Sequence, residues 1–594
     1  MKLRDKMKWR RQLIALGMTL AALMLASGGA AWAQVNDAGA VTRDIEKQLP
    51  NIKPEAPVLP GQQKQAPASQ MAETPLQTLT YPITTIKVDA PRLTPEIEAL
   101  LRPRFLGVTS ITQSEINQAR ESIWSLFRGH GRLVQITFEA VSGEDEKQGS
   151  RLDVHITEFH IRKTVVEQEG PDLIAPGVIE RIRRVAVEKA AEGGVLDLGK
   201  LDAMLKHRIY LGDVTVRASI EPVKDNLVDL KILVGKVPPQ PLSALVQYDN
   251  TGNWTFGRDR LITGVSLQGV VQDGDRLDVI GLKTFDVGAL EFRGVEYGRV
   301  SYEIPVPVLD IRAALWTSAM HYHSDSGVTA TSNANGNSYE IGAGVRKLLY
   351  VDSTAFVTAS VDYLEKWETD RLLTNVATAS KNSHNGRITI DATYALSQTQ
   401  TLTARVSGVL GSVDLSGVAS SLSADQSGPR VNGLYSKVEG DLRWLGRFGA
   451  DNRIDARSEL KFQIACKNLD SMEKFSLGGS SGLRAFSSSE APGDHGFVLN
   501  NEIGYQLFPW LHSSVFYDIG GTVRSHNTYA VETIPNSYIL QDVGASLAGS
   551  YAGIDANVSF AWQIGPNPAR SPAGYDVDNT TDRYRLFGSL VYRY

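Results

Sequence analysis

The sequence predicts a transmembrane antiparallel β-barrel preceded by two small α+β modules and an N-terminal helix. Three observations lead there: a secretory leader, two strand–helix cycles between about Tyr81 and Lys236, and two-residue alternation with no helical pattern from about Pro238 to Tyr594.

The leader comes first. Lys2, Arg4, Lys6, Lys8, Arg10 and Arg11 precede an apolar run from Leu13 to Leu25, and small residues lead to Ala31-Trp32-Ala33. This order is that of a cleaved signal peptide over 1–33. The apolar run is shorter than the ~20 residues of a retained anchor. Six basic residues and one acidic residue leave with it, taking the formal charge from −5 to −10. That balance argues against a nucleic-acid partner. Cys466 is the single cysteine, with no disulfide mate and no metal-ligand companions, so no metal or cofactor is expected.

In residues 34–50, Ala38, Val41, Ile45 and Leu49 recur at helical spacing, with Asn36 and Asp37 as capping candidates and Pro50 as a stop. Residues 51–79 are rich in Pro, Gln and Ala and read as an extended linker. A short helix on a long tether has no core of its own and must dock elsewhere or move.

The two modules are expected over 80–158 and 159–236. In the first, Thr112 and Glu115 stand in capping-box register and Ile116, Ala119, Ile123 and Leu126 share a face. Gly129 or Gly131 ends that helix, and Val134, Ile136, Phe138 and Ala140 then alternate as a strand. In the second, helical spacing recurs over Val178, Ile179, Ile182 and Val185 and again over Leu201, Leu205 and Ile209. Two strands follow, carrying Val214 to Ile220 and Val228 to Val234. Each module is small but of foldable size.

From 237 to 594 the period is two. Ile388, Ile390, Ala392, Tyr394 and Leu396 oppose Arg387, Thr389, Asp391 and Thr393; Ala355 to Tyr363 and the final strand ending at Tyr594 behave alike. A soluble sandwich also alternates. Charged polar faces, frequent Tyr and Trp, a leader and an aromatic C-terminus favour an outer-membrane barrel. Lipid tolerates only a closed sheet, so the last strand must pair with the first, near "LSALVQYDN".

Between two of these strands lies "GGSSGLRAF", Gly478 to Phe486. Its first half matches the G-x-S-x-G elbow of esterases, which needs a following helix. The Pro- and Gly-containing "AFSSSEAPGDHG" cannot supply one, so no catalytic serine is expected. The segment is too long for a hairpin and can fold back into the lumen. A guanidinium buried there needs a partner. In "SSVFYDIGG", parity turns Val515, Tyr517 and Ile519 to lipid and Phe516, Asp518 and Gly520 inward, making Asp518 a candidate partner of Arg484. Two unrelated solvated charges in a wet pore would fit the same residues.

The whole order resembles the two-partner secretion transporters (TpsB), the haemolysin and filamentous-haemagglutinin exporters of the BamA superfamily. "AGAVTRDIEKQLP" is similar to their plug helix and "LDAMLKHRIYLGDVTVRASIEP" to their second POTRA domain. "FSLGGSSGLRAF…GDHGFVLNNEIGY" resembles the sixth extracellular loop, and "FYDIGG" the F-x-D-x-G wall strand. The resemblance implies a sixteen-stranded barrel, two POTRA domains, a loop tip at Leu483, Arg484, Ala485 and Phe486, and a wall motif at Phe516, Asp518 and Gly520. It implies a large secreted, TpsA-like exoprotein as partner, and Tyr594 as the C-terminal barrel signal. Outer-membrane lipid and lipopolysaccharide, the barrel-assembly machinery and periplasmic chaperones are its implied surroundings. The implied activity is passive protein translocation with no catalytic site. An assembly factor of the same superfamily or a non-transporting porin or receptor are the alternatives. The family's glycine after the arginine is Ala485 here, which would be strained if that position needs a positive φ.

Overall fold

The computed structural model describes residues 37–52, 75–142, 149–170, 174–224, 226–238, 242–252, 256–286, 291–323, 334–372, 376–529, 534–578 and 580–594. The leader and most of the linker lie outside these residues.

The first helix, α1 (Ala38–Glu46), is capped by Asp37, whose side chain accepts from the Ala40 amide. It stops three residues before Leu49, which lies beyond the helix, partly buried on the lumen wall. A short ladder pairs β1 (Pro75–Thr78) with β3 (Ser110–Thr112).

The first α+β module holds β2 (Ile83–Asp89), α2 (Thr94–Phe105), α3 (Gln113–Gly129), β4 (Val134–Val141) and β5 (Ser150–Glu158). Its sheet runs β2-β5-β4, with β2 parallel and β4 antiparallel to β5. Both halves of the Thr112–Glu115 capping box are made. Ile116, Ala119, Ile123 and Phe127 form the buried stripe of α3, and Leu126 lies only at its margin. α2 was not singled out by periodicity, because Pro103 interrupts its last turn. Its Ile97, Leu101 and Phe105 nevertheless recur four apart and are fully buried.

The second module repeats the plan with β6 (His160–Glu169), α4 (Pro176–Lys189), α5 (Leu198–Leu211), β7 (Thr215–Pro222) and β8 (Leu227–Gly235), in sheet order β6-β8-β7. Only Phe159 separates β5 from β6, and its carbonyl accepts from Leu196. Arg132 adds an ion pair to Asp197 at 3.5 Å across the joint. The second module in turn rests on the barrel turns. Lys206 donates to the Asp352 carbonyl at 3.1 Å, Arg312 donates to the Leu211 carbonyl, and the Tyr210 and Phe356 rings lie 5.8 Å apart.

The barrel begins with β9 (Ser243–Asp249), β10 (Asp259–Gln268), β11 (Arg276–Asp286), β12 (Glu291–Val306), β13 (Ile311–His323), β14 (Asn335–Val351), β15 (Ala355–Leu372) and β16 (Val376–Ala395). It continues with β17 (Gln400–Asp414), β18 (Gly433–Phe448), β19 (Ile454–Ala465), β20 (His495–Phe508), β21 (Leu511–Val523), β22 (Ser537–Tyr551), β23 (Ile554–Ile564) and β24 (Tyr584–Arg593). A further helix, α6 (Ala419–Ser427), sits in the loop between β17 and β18. All sixteen strands form one closed antiparallel sheet, sealed by β24 on β9 in the register Arg593↔Leu245. An even strand number is what lets an antiparallel sheet meet itself antiparallel.

Alternation sorts the faces. Val361, Tyr363, Ile388 and Ile390 are exposed outward, while Glu368, Lys381, Thr389 and Ser407 are buried inward. Ile388 lies in this outer apolar band, paired in register with Val361. Ile388→Arg should therefore destabilise the barrel by about 2–4 kcal/mol, measured by reversible denaturant unfolding in lipid.

Candidate functional site

The long connection between β19 and β20 turns back into the barrel. Its stem is closed by reciprocal Phe475 and Gly493 backbone bonds of 2.8 Å. The glycines explain the serine-rich motif. Gly479 has φ +101°, and a Cβ on Gly482 would come 2.2 Å from the Leu477 carbonyl. "GGSSG" is thus a compact backbone bend.

At the tip, Leu483, Ala485 and Phe486 are buried in one apolar cluster with Phe516 and Leu540. Arg484 reaches the wall. Its Nε and Nη2 donate to the two Asp518 oxygens at 2.8 and 3.1 Å, and its Nη1 donates to Glu502 Oε2 at 2.7 Å. The Asp518 side chain is wholly buried. The guanidinium lies 3.4 Å from the centre of the Phe516 ring. Bidentate, charge-assisted contact and a ring face suit guanidinium rather than ammonium.

Small residues make the fit possible. A Cβ on Gly520 would meet Leu483 Cδ1 at 3.4 Å and the Phe497 carbonyl at 2.9 Å. One on Gly544 would strike the Phe516 ring at 2.3 Å. Ala485 is not among the positive-φ residues, so it carries no left-handed strain; Ala491, with φ +53°, does adopt that region. The structure therefore brings together Arg484 with Asp518, Phe516 beneath them, and Leu483 beside Gly520. Tyr594 sits at the seam, exchanging backbone bonds with Ala244. Glu502 was missed, although parity along "VLNNE" turns Val498, Asn500 and Glu502 to one face.

A second set of contacts holds α1 across the lumen. At its N-terminus Lys381 bridges Asp37 and Asp470, at 2.5 and 2.9 Å, and the Ala38 amide donates to Asp370. Arg43 donates to the Ser471 and Lys474 carbonyls and to Ser476 Oγ, tying helix to loop. At the far end Glu46 faces Lys366 at 3.6 Å and Arg299 at 3.8 Å, and Arg260 donates to Gln48 at 2.7 Å. Burial pushes the Asp37 carboxyl up, but the Lys381 ammonium overcomes this and holds it below its usual range.

Gly39 sets how close the helix comes. A Cβ there would lie 2.6 Å from Glu368 Oε2 and 2.7 Å from Met472 Cβ. Gly39→Leu should raise helix propensity by about 1 kcal/mol yet prevent seating. Planar-bilayer recordings should then show a markedly larger open conductance than the parent protein.

The loop has another buried anchor in Glu490. Asn567 donates to its Oε1 at 3.1 Å, while its Oε2 has no hydrogen-bond donor among the described residues. Burial pushes its carboxyl up to about 7, with Asp576 and Asp578 adding repulsion and Arg585 partly offsetting it. A raised carboxyl favours the seated loop fully below the ordinary value of about 4.3 and loses that contribution as pH climbs through about 7. A nitroxide at Ser481 in a Cys466→Ser background should accordingly grow more mobile from pH 5 to pH 8, and Glu490→Gln should flatten the response. Among the described residues no group of three or more His, Cys, Asp or Glu could hold a metal ion.

Residues 230–554 match the family model of the haemolysin secretion/activation protein ShlB/FhaC/HecB. A Haemophilus influenzae protein described as heme/hemopexin transporter protein HuxB is 21% identical over 614 residues, covering 100% of each chain. Among solved structures, CdiB from Escherichia coli aligns with a TM-score of 0.57 at 15% identity, over 93% of this chain and 95% of that one. CdiB from Acinetobacter baumannii gives 0.56 at 15% identity, over 93% and 96%. BamA from Haemophilus ducreyi, lacking its POTRA domains 1–3, gives 0.51 at 14% identity, over 87% and 100%. These structural likenesses concern the fold.

Proposed function

The chain belongs to the haemolysin secretion/activation family ShlB/FhaC/HecB, and from that premise we propose a route by which it moves its partner. The protein is an outer-membrane transporter of two-partner secretion, and its partner is a secreted exoprotein. One observation carries the proposed route. The lumen of a sealed barrel is occupied by a helix and a returning loop, both held through ion pairs and hydrogen bonds.

In this reading residues 34–50 are a plug, and residues 80–158 and 159–236 are POTRA domains that present the unfolded partner to the lumen. Strands β2 and β4 of the first sheet and β7 of the second are sheet edges in the strand order, where an extended chain can add by main-chain hydrogen bonds. The partner's side chains then choose pockets, and its backbone does the holding. Once the chain engages, α1 leaves along its tether and the Arg484–Asp518 pair keeps the loop tip on the wall. Folding of the exoprotein outside draws the rest through, without nucleotide hydrolysis or enzymatic chemistry. Outer-membrane lipid and lipopolysaccharide surround the outward Val, Ile and Tyr belt. During biogenesis, chaperones and the barrel-assembly machinery receive the unfolded chain.

The test is export of the cognate exoprotein into culture medium. Arg484→Ala should lower it by more than tenfold while the barrel is still inserted and heat-modifiable, and deletion of 80–158 should abolish it. Undiminished export by Arg484→Ala would remove the latch. Unchanged export without the first module would remove partner capture there.

A further inference from the structure

Arg484 is flanked by a residue whose side chain offers no polar group, yet whose backbone is fully engaged. The Ala485 amide donates to Asp542 Oδ2 at 3.0 Å, and the Ala485 carbonyl accepts from Gln563 Nε2 at 2.9 Å. Asp542 stands on β22 and Gln563 on β23, and the two are register partners. Arg484 itself spends its guanidinium on β20 and β21, through Glu502 and Asp518. The tip is therefore fastened to four consecutive strands, two by its side chain and two by its backbone.

The position of Asp542 needs a reason. It lies directly across from Asp518 in the strand register, and both residues are fully buried. Opposing carboxylates in a dry wall are unfavourable. Asp518 receives the guanidinium, whereas Asp542 accepts from the Ala485 amide. Gln563 is likewise committed: its Nε2 serves Ala485 and its Oε1 accepts from Arg570 at 3.3 Å. The carboxylate reads an N–H and the amide reads a C=O, so the pair together reads one peptide unit on each side of an α-carbon. Such a contact is indifferent to the side chain at 485, provided that it is small enough for the cluster around Leu483, Phe516 and Ala561. Alanine in place of glycine is then no defect.

We propose that Asp542 and Gln563 form a second, backbone-reading clamp on the loop, acting as positioning residues for Arg484 alongside the Arg484–Asp518 pair. The consequence for export rests on the transport function proposed above; the seating itself does not. Removing one clamp leaves the other, so single losses loosen the tip and the double loss frees it. Additivity would fail in this direction because both clamps restrain one short segment.

The experiment uses the full-length protein in lipid nanodiscs, with a nitroxide at Ser481 in a Cys466→Ser background. Asp542→Asn keeps an acceptor for the Ala485 amide and should leave the spectrum close to that of the parent. Asp542→Leu keeps the bulk without the acceptor and should yield a mobile component. Arg484→Ala with Asp542→Leu should raise that component at least tenfold over either single change. Heat-modifiability of each variant reports an intact barrel independently of the loop. Equal spectra for Asp542→Asn and Asp542→Leu, or a double variant no more mobile than Arg484→Ala alone, would overturn the clamp. Because the readout is seating, a clamp that forms in a protein that fails to export would count against the transport reading and not against this one.

Discussion

Lipid cannot hydrogen-bond a peptide group, and that constraint governs everything else in this molecule. Each strand must find its partners within the sheet, so the last strand returns to the first and Arg593 comes to lie opposite Leu245. Closure fixes two faces with opposite demands. The outer one has to be apolar, and the inner one, relieved of that demand, is free to carry charge. Glu368, Asp370, Lys381, Asp518 and Asp542 could not be placed on the outer face without large cost, yet inside Asp370, Lys381, Asp518 and Asp542 help to hold the helix and the returning loop.

Those pieces are held in a manner suited to release. α1 places Ala38, Val41 and Ile45 against Leu245 and Ile262, a single apolar stripe, while Asp37, Arg43 and Glu46 supply the remaining contacts. A wholly apolar plug would leave a greasy, poorly hydrated wall behind it. Were α1 to leave, it would bare Lys381, Asp370, Arg299 and Lys366, groups that water solvates well. The loop tip is different: Asp518 has no exposed surface, and uncoupling it from Arg484 would leave a buried charge unpaired. Helix and loop thus differ in the cost of letting go, although Arg43 binds the one to the stem of the other.

Much of this was legible in the sequence where a short-range rule applies. Period two gave the inward face of β21 and so the side of Asp518; the Thr112–Glu115 spacing gave the start of α3; "LSALVQYDN" was identified as the closing strand because a barrel must close. What escaped had causes of another range. Phe127 replaces Leu126 in the buried stripe because the helix packs by the position of its neighbours and not by hydrophobicity alone. α2 hides behind Pro103, whose ring falls in the last turn where an interior proline signals a break. Glu502 obeys the same parity as Asp518, but a carboxylate on a pore wall has no local mark of being paired. Asp542 and Gln563 were out of reach, since they recognise a backbone, and a backbone leaves no signature in the residue it belongs to.

That last point bears on how the returning loop keeps its place with alanine at position 485. A guanidinium fixes a residue type; a peptide clamp fixes only a path. When both act on adjacent residues, the arginine cannot slide along the wall without pulling the Ala485 peptide from Asp542, and the peptide cannot rotate without dragging the guanidinium off Asp518. Gly520 and Gly544 complete the arrangement by absence, because side chains there would displace Leu483 and Phe516 from beneath it. The wall is therefore shaped for a folded bend as a unit, and its specificity lies in the joint geometry of charge, peptide and vacant Cβ positions across β20 to β23.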